Sequence, residues 1–290
     1  MILAERLTMA VDELAPPDRP VMVHASLRSF GASIAGGVDA LLDALLADNR
    51  TIVVPTFTEP QFGVAAPSNL RPQRNGIDYA TFPAAPTPPK GAAYTVDCGL
   101  INPHLGVLPA ALLDRAGAVR GTHPLNSFAA RGPLADKLIS TQSPDDVYGP
   151  IRELAAHDGL ILLIGVGLNR MTALHLAEQQ SGRRLFLRWA RNADGRIHMV
   201  EVGSCSEGFP RLEPVLNPLA RTIAVHGSRW RAYPARPTLA VATAAISADQ
   251  NVTQCSDNCL QCRDAIAGGP VEGLGWGDEG DRVLGEWVGV

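Results

Sequence analysis

Residues 21–58 read VMVHASLRSFGASIAGGVDALLDALLADNRTIVVPTFT. Residues 21–24 follow Pro20 as a short apolar strand. A glycine-rich connection, residues 31–37, leads into a helix in which Val38, Leu41, Leu42, Leu45 and Leu46 fall at i, i+3, i+4, i+7 and i+8. That spacing makes one apolar face, with Asp39 and Asp43 on another. Residues 51–58 are the next strand. Strand, crossover helix, strand is a βαβ signal, so the fold class is α/β.

Working outward, residues 3–14 read as a short amphipathic helix. The stretch from Pro55 to Pro89 holds eight prolines and no long periodic pattern, which marks an irregular loop or lid. Residues 108–115 and 134–139 read as short helices. The run GLILLIGVGL, residues 159–168, is too short for a membrane span, which needs about 20 apolar residues. It reads as a fully buried strand over 160–165, followed by a helix over 171–180. Residues 183–202 alternate as two strands about Asn192-Ala-Asp194-Gly195, whose Asp-Gly signals a hairpin turn. That hairpin carries Arg183, Arg184, Arg188, Arg191 and Arg196, which read first as a solvated strand face, with anion binding the other reading. Residues 268–290 hold eight glycines and five acids against Arg282 alone. They read as a weakly ordered tail after one domain over 1–267.

The chain has 290 residues, with 25 basic and 29 acidic side chains and a formal charge of −4. That mild acidity argues against a nucleic-acid partner, which demands a basic face, and suits a neutral or cationic one. A hydrophobic share of 46% against 19% charged residues excludes general disorder. The N-terminal residues show no cleavable hydrophobic segment, and five cysteines are an odd number without the spread of a disulfide framework. The expectation is a cytoplasmic protein with no membrane partner.

Three constellations carry chemistry. HASLRSFG, residues 24–31, follows a strand; Ser26, Ser29 and Gly31 suit a tight turn with exposed N–H groups, and Arg28 adds a fork of donors. Such turns are common without a ligand. NRMTALHLAE, residues 169–178, opens a helix with Asn169 as a candidate N-cap. His175 and Glu178 stand at i and i+3, so their side chains are neighbours, and a carboxylate beside an imidazole makes a competent general base. Thr172 lies one turn earlier. On spacing alone the pair reads first as an ordinary surface pair. GTHPLNS, residues 121–127, either presents His123 and Ser127 to a ligand or is a turn in which Ser127 caps the next segment.

Together these segments resemble the aminoglycoside 3-N-acetyltransferase family. Residues 24–31 are similar to its His-Ser-Ser-Leu-Arg-Ser-x-Gly motif, residues 51–58 to its following strand, and THPLNSFAARG, residues 122–132, to its His-Pro-x-x-Ser-x-x-Ala-x-Gly segment. GLILLIGVG with TALHLAE, residues 159–167 and 172–178, is similar to its most specific block. Order and spacing agree over about residues 20–182. The resemblance implies a three-layer α/β/α architecture with a central mixed sheet, and acetyl-CoA as co-substrate. It implies that Ser26, Leu27, Arg28, Ser29, Phe30 and Gly31, with His123 and Ser127, hold coenzyme A. His175 and Glu178 would form the base pair, with Thr172 helping the reacting carbonyl. No metal is expected as a cofactor. A cationic aminoglycoside calls for carboxylates, and the candidates in loops beside the cleft are Glu59, Asp97, Asp145 and Asp146.

There are departures from the family pattern. Phe82 is followed by Pro83, where the family has Phe-Asp, and only Thr87-Pro88 matches its substrate loop. Residues 91–105, with Cys98 and His104, look like an insertion, and Asp145 and Asp146 replace a smaller stretch. These bear on the acceptor more than on the chemistry. Cys255, Cys259 and Cys262 either supply three zinc ligands, with Cys205 or His226 as the fourth, or lie at i, i+4 and i+7 on one helix face. The leading expectation is an acetyl-CoA-dependent enzyme acetylating the 3-amino group of aminoglycosides. A relative acting on another small amine, or a coenzyme A- or zinc-binding module without turnover, are the alternatives. An oriented base has no use in the last.

Overall fold

In a computed structural model, which describes residues 1–59, 61–66, 70–81 and 93–271 with the backbone of 283–284, the βαβ signal is realised. Strand β1 (Val21–Ala25) and β2 (Ile52–Pro55) are parallel neighbours joined through helix α2 (Gly37–Leu46). The apolar run near residue 160 becomes β6 (Leu160–Ile164), which lies parallel on the other side of β1 with Ala25 facing Ile164. Antiparallel strands complete a seven-stranded sheet: β5 (Phe128–Arg131) and β4 (Val119–Arg120) beyond β2, and β10 (Ser228–Pro234) and β9 (Arg221–Val225) beyond β6.

The sheet is buried on both faces, which is why its central strands are apolar without alternation. Val21, Val23, Ile52, Val54, Leu160, Leu162 and Ile164 face one layer, made with α1 (Ala4–Leu14), α2 and α3 (Leu108–Leu113). Met22, Val53, Ile161 and Leu163 face the other. That layer contains α4 (Ala135–Ile139), α5 (Gly149–Ala156), α6 (Ala173–Gln180), the short α7 (Glu213–Leu216) and α8 (Ala235–Ala248). The architecture is therefore the expected three-layer α/β/α with a mixed sheet.

The hairpin is also present: β7 (Phe186–Arg191) and β8 (Ile197–Val202) pair antiparallel around the Asp-Gly turn. They belong to a second sheet, in the order β11-β8-β7-β3, with β3 (Gly63–Val64) and β11 (Val283–Leu284) at its edges. The Pro-rich segment is thus anchored where it is described. Asn75 accepts from the Leu187 amide at 2.7 Å and donates to its carbonyl at 2.8 Å. The expected substrate-loop motif around Phe82 and Thr87 lies outside the described residues, as does most of the glycine-rich tail. Among the described residues no helix is long and apolar enough to cross a membrane.

This topology locates a site. β1 sends its connection to one side and β6 stands on the other, so the carboxyl ends of the parallel strands diverge there; such a switch point is where α/β sheets bind ligands. The segments 26–31, 56–59 and 165–172 all leave from those ends.

Candidate active site

Helix α6 begins with Thr172 as its N-cap residue. Asn169 does not cap it, contrary to the sequence expectation. It sits in a preceding 3-10 turn, Leu168–Arg170, and its amide donates to Glu207 at 3.2 Å.

On α6, His175 Nδ1 lies 2.9 Å from Glu178 Oε2, so the i,i+3 pair is real. It is not a surface pair: Glu178 is 3% exposed and His175 8%. A carboxylate so buried demands compensation. Arg183, 4% exposed, donates to Glu178 Oε1, and Ser204 donates to Oε2 at 2.9 Å. Arg183 is itself held by Thr253 Oγ1 at 2.7 Å and by the Gln250 carbonyl at 2.6 Å. The reading of Arg183 as part of a solvated strand face is therefore corrected. It precedes β7 and turns inward to the site.

The imidazole is fixed from its faces as well. Tyr148 stacks on it at 6.2 Å with an interplanar angle of 8°, and Phe209 meets it edge-on at 4.8 Å. Gly203 closes the pocket: a Cβ there would stand 2.5 Å from the Tyr148 hydroxyl and 2.8 Å from His175 Cδ2. Only a residue without a side chain permits that approach. Among the described residues, neither His175 Nε2 nor Thr172 Oγ1 has a hydrogen-bond partner, which leaves both to a ligand.

Carboxylates act on Tyr148, the ring stacked on the imidazole. Burial pushes the Tyr148 hydroxyl well above its ordinary range, and the negative charges of Glu178, Glu59 and Glu201 add to the effect. Burial likewise raises Glu59, against the pull of the Arg188 guanidinium. Glu201, on β8, also lines a cavity of about 240 Å³ with Asp145, Gln179 and Arg183. Glu201 escaped the sequence analysis; its signal was an acid on the half-buried face of a strand. Of the expected acidic residues, Glu59 acts on Tyr148, and Asp145 lines that cavity and accepts from Ser143 Oγ at 2.7 Å. Asp146 is engaged by Arg152 instead. Asp97 is exposed on a turn, which Arg120 holds through the carbonyls of Cys98 and Leu100.

The expected coenzyme turn is a 3-10 turn, Leu27–Phe30, N-capped by Ser26 and closed by Gly31 in the left-handed region at φ +65°. It leaves the N–H groups of Leu27 and Arg28 without acceptors inside the turn. Ser29 Oγ is spent on the Ser26 carbonyl at 2.6 Å and on Ser228 Oγ at 2.7 Å, and Phe30 is buried against Trp230. Arg28 is exposed. The second expected segment does not present its side chains. His123 is fully buried, accepts from the amides of Leu125 and Asn126 at Nδ1, and donates from Nε2 to the Glu201 carbonyl at 2.8 Å. Ser127, equally buried, donates to the Thr56 carbonyl and accepts from Arg120. Ser127 caps no following segment, because its hydroxyl is taken up by Thr56 and Arg120.

A profile of the aminoglycoside 3-N-acetyltransferase family matches residues 22–247. The chain belongs to that family. Among curated relatives it is 30% identical to aminoglycoside N(3)-acetyltransferase IX of Micromonospora chalcea, over 61% of this chain and 62% of that one. It is 34% identical to aminoglycoside N(3)-acetyltransferase III of Enterobacter cloacae, over 54% and 53%. The chain thus matches little more than half the length of these relatives. Among solved structures, a mutant of aminoglycoside acetyltransferase AAC(3)-IVa in complex with a gentamicin superposes with a TM-score of 0.73 at 22% identity, over 92% of this chain and 97% of that one. YokD from Bacillus subtilis does so with 0.69 at 18% identity, over 86% and 95%. At these identities the structures bear on the fold alone, and they agree with it.

Two buried histidines give the protein an acid limit. Burial holds His24 and His123 down to about 4, and the Arg170 charge helps at His24. In the unfolded chain both protonate near 6.5. Between those values the unfolded chain binds more protons, so stability falls as pH drops from about 6.5 to about 4. Replacing His24 by Leu removes one of the two contributions. Thermal melts across that range are expected to show a smaller loss of Tm for His24→Leu than for the parent; an equal loss contradicts the assignment.

Proposed function

We propose that the protein transfers the acetyl group of acetyl-CoA to the 3-amino group of aminoglycosides, a modification that confers antibiotic resistance. One observation carries the reading. An imidazole oriented by a buried Glu178–Arg183 pair leaves Nε2 without a partner among the described residues, and the ring stacked on it, Tyr148, feels the charges of Glu178, Glu59 and Glu201. Those charges suit a polycationic amine, and the open nitrogen suits its deprotonation. Family membership supports the same reaction. So do the ligands of fold neighbours: a gentamicin and apramycin in AAC(3)-IVa complexes, and CoASH in a binary complex of AAC-IIIb.

The geometry supports direct transfer to the amine. Glu178 accepts the proton of His175 Nδ1, which makes Nε2 the basic nitrogen. The acceptor amine attacks the thioester carbonyl carbon and Nε2 takes its proton. The tetrahedral intermediate then collapses with cleavage of the C–S bond, and the leaving sulfur takes the proton from Nε2 to give coenzyme A and the free imidazole. Thr172 Oγ1 supplies a donor to the developing oxyanion. Coenzyme A lies along residues 26–31, with the free amides of Leu27 and Arg28 and the Arg28 guanidinium toward its pyrophosphate. His123 and Ser127 support that surface without touching the cofactor.

Thiol release from acetyl-CoA, measured against a panel of 2-deoxystreptamine aminoglycosides and small monoamines, tests the acceptor. Turnover of the aminoglycosides above background is expected; turnover of a monoamine alone refutes the resistance role and keeps the transfer. A folded His175→Ala protein is expected to lose about 10²–10⁴ in kcat at an unchanged acetyl-CoA KM; near-parental turnover ends the assignment of the base. Glu201→Gln is expected to raise the aminoglycoside KM by roughly 10- to 100-fold, as loss of a shielded charged contact does. Asp146→Asn, whose carboxylate belongs to Arg152, is expected to stay within about twofold of the parent. The reverse order of the two variants contradicts this map of the acceptor site.

A further inference from the structure

The cysteine trio does not lie on one helix face. Cys255 precedes helix α9 (Leu260–Ile266), Cys259 is its N-cap residue, and Cys262 sits in its first turn. The chain folds back so that a fourth cysteine, Cys205, reaches them from the loop after β8. The four sulfurs all lie within 4.8 Å of one another. Cys205 and Cys255 are 3.7 Å apart, and Cys255 and Cys262 are 3.4 Å apart. A tetrahedral zinc with Zn–S bonds of about 2.3 Å sets its sulfurs about 3.8 Å apart. A polynuclear iron–sulfur centre spreads its cysteines wider, because sulfides stand between them. The amide of Cys255 also donates to Cys262 Sγ at 3.4 Å, the kind of outer contact that orients a metal-bound thiolate. His226, the alternative fourth ligand, is elsewhere, bonded to the Phe30 carbonyl.

We propose that Cys205, Cys255, Cys259 and Cys262 bind one zinc ion as a closed structural site. Four thiolates fill the coordination shell and leave no open position, so the metal takes no part in acyl transfer. Binding displaces the thiol protons and ties two segments that share no backbone pairing. Each segment carries a contact to the catalytic carboxylate. Ser204, next to Cys205, donates to Glu178 Oε2; Thr253, two residues before Cys255, accepts from Arg183 and approaches Glu178 Oε1 at 3.4 Å. The site therefore fixes the wall behind the His175–Glu178 pair.

The test is metal analysis of the full-length protein, purified under reducing conditions and dialysed against metal-free buffer. One zinc per chain is expected by mass spectrometry of the elements, in the parent and in Cys98→Ser. Cys259→Ser is expected to lose it. Metal-free parent protein given Co²⁺ alone is expected to show the intense visible absorption and the sulfur-to-cobalt charge transfer of a tetrathiolate site. That measurement needs no variant to fold. Substoichiometric zinc together with no cobalt–thiolate absorption overturns the proposal. So does iron in place of zinc, or a disulfide among these four cysteines in the protein as purified from the reducing buffer.

Discussion

The structure of the site depends on one buried carboxylate. Glu178 has no access to bulk water, so its charge must be answered by the protein. Arg183 does this on one oxygen, while His175 and Ser204 share the other. The cost of burying the ion is offset only when all partners are present. That requirement gathers segments far apart in sequence: α6, the entry to β7, the loop after β8 and the turn around Thr253. The imidazole of His175 is held firmly because its partner is costly to leave unsatisfied. Tyr148, Phe209 and the backbone of Gly203 then hold the ring in its plane.

The same constraint shapes the electrostatics. Arg183 neutralises Glu178, and with Arg184 it also lines the cavity that Glu201 and Asp145 share. A further cation, Arg188, lies near Glu59, where burial draws its pKa down from its ordinary value. Charges of both signs therefore meet around the His175–Glu178 pair. The coenzyme turn, by contrast, presents the amides of Leu27 and Arg28 and an exposed guanidinium, and suits an anion. The two proposed ligands, of opposite charge, would be received from the ends of adjacent strands, β1 and β6.

The core of the fold was legible because its signals are local. The apolar face of α2, the buried runs of β1, β2 and β6, and the Asp-Gly hairpin each follow from spacing or turn chemistry. The C-terminal third was not. Helix α8 begins directly after a strand, carries a proline near its start and is rich in alanine, so its periodicity is faint. Strand β9 is largely exposed and lacks an apolar run. In the site, the His175–Glu178 pair was visible from i,i+3 spacing, but its burial was not. Arg183 was visible as one of several arginines; nothing local separates Arg183 and Arg188, which turn inward, from Arg184 and Arg196, which stay in solvent. Glu201 depended on strand register against a neighbouring loop, a long-range fact. His123 and Ser127 were found as a polar motif, yet their hydrogen bonds are all internal.

The central claim is that Glu178 holds the proton of His175 on Nδ1 and leaves Nε2 as the base. Nitrogen NMR of the histidine-labelled protein, with the His175 signals assigned by comparison with His175→Ala, reads that tautomer directly. The account predicts that neutral His175 carries its proton on Nδ1 and that Glu178→Gln shifts this signal. A neutral ring protonated on Nε2, unchanged by Glu178→Gln, would contradict it.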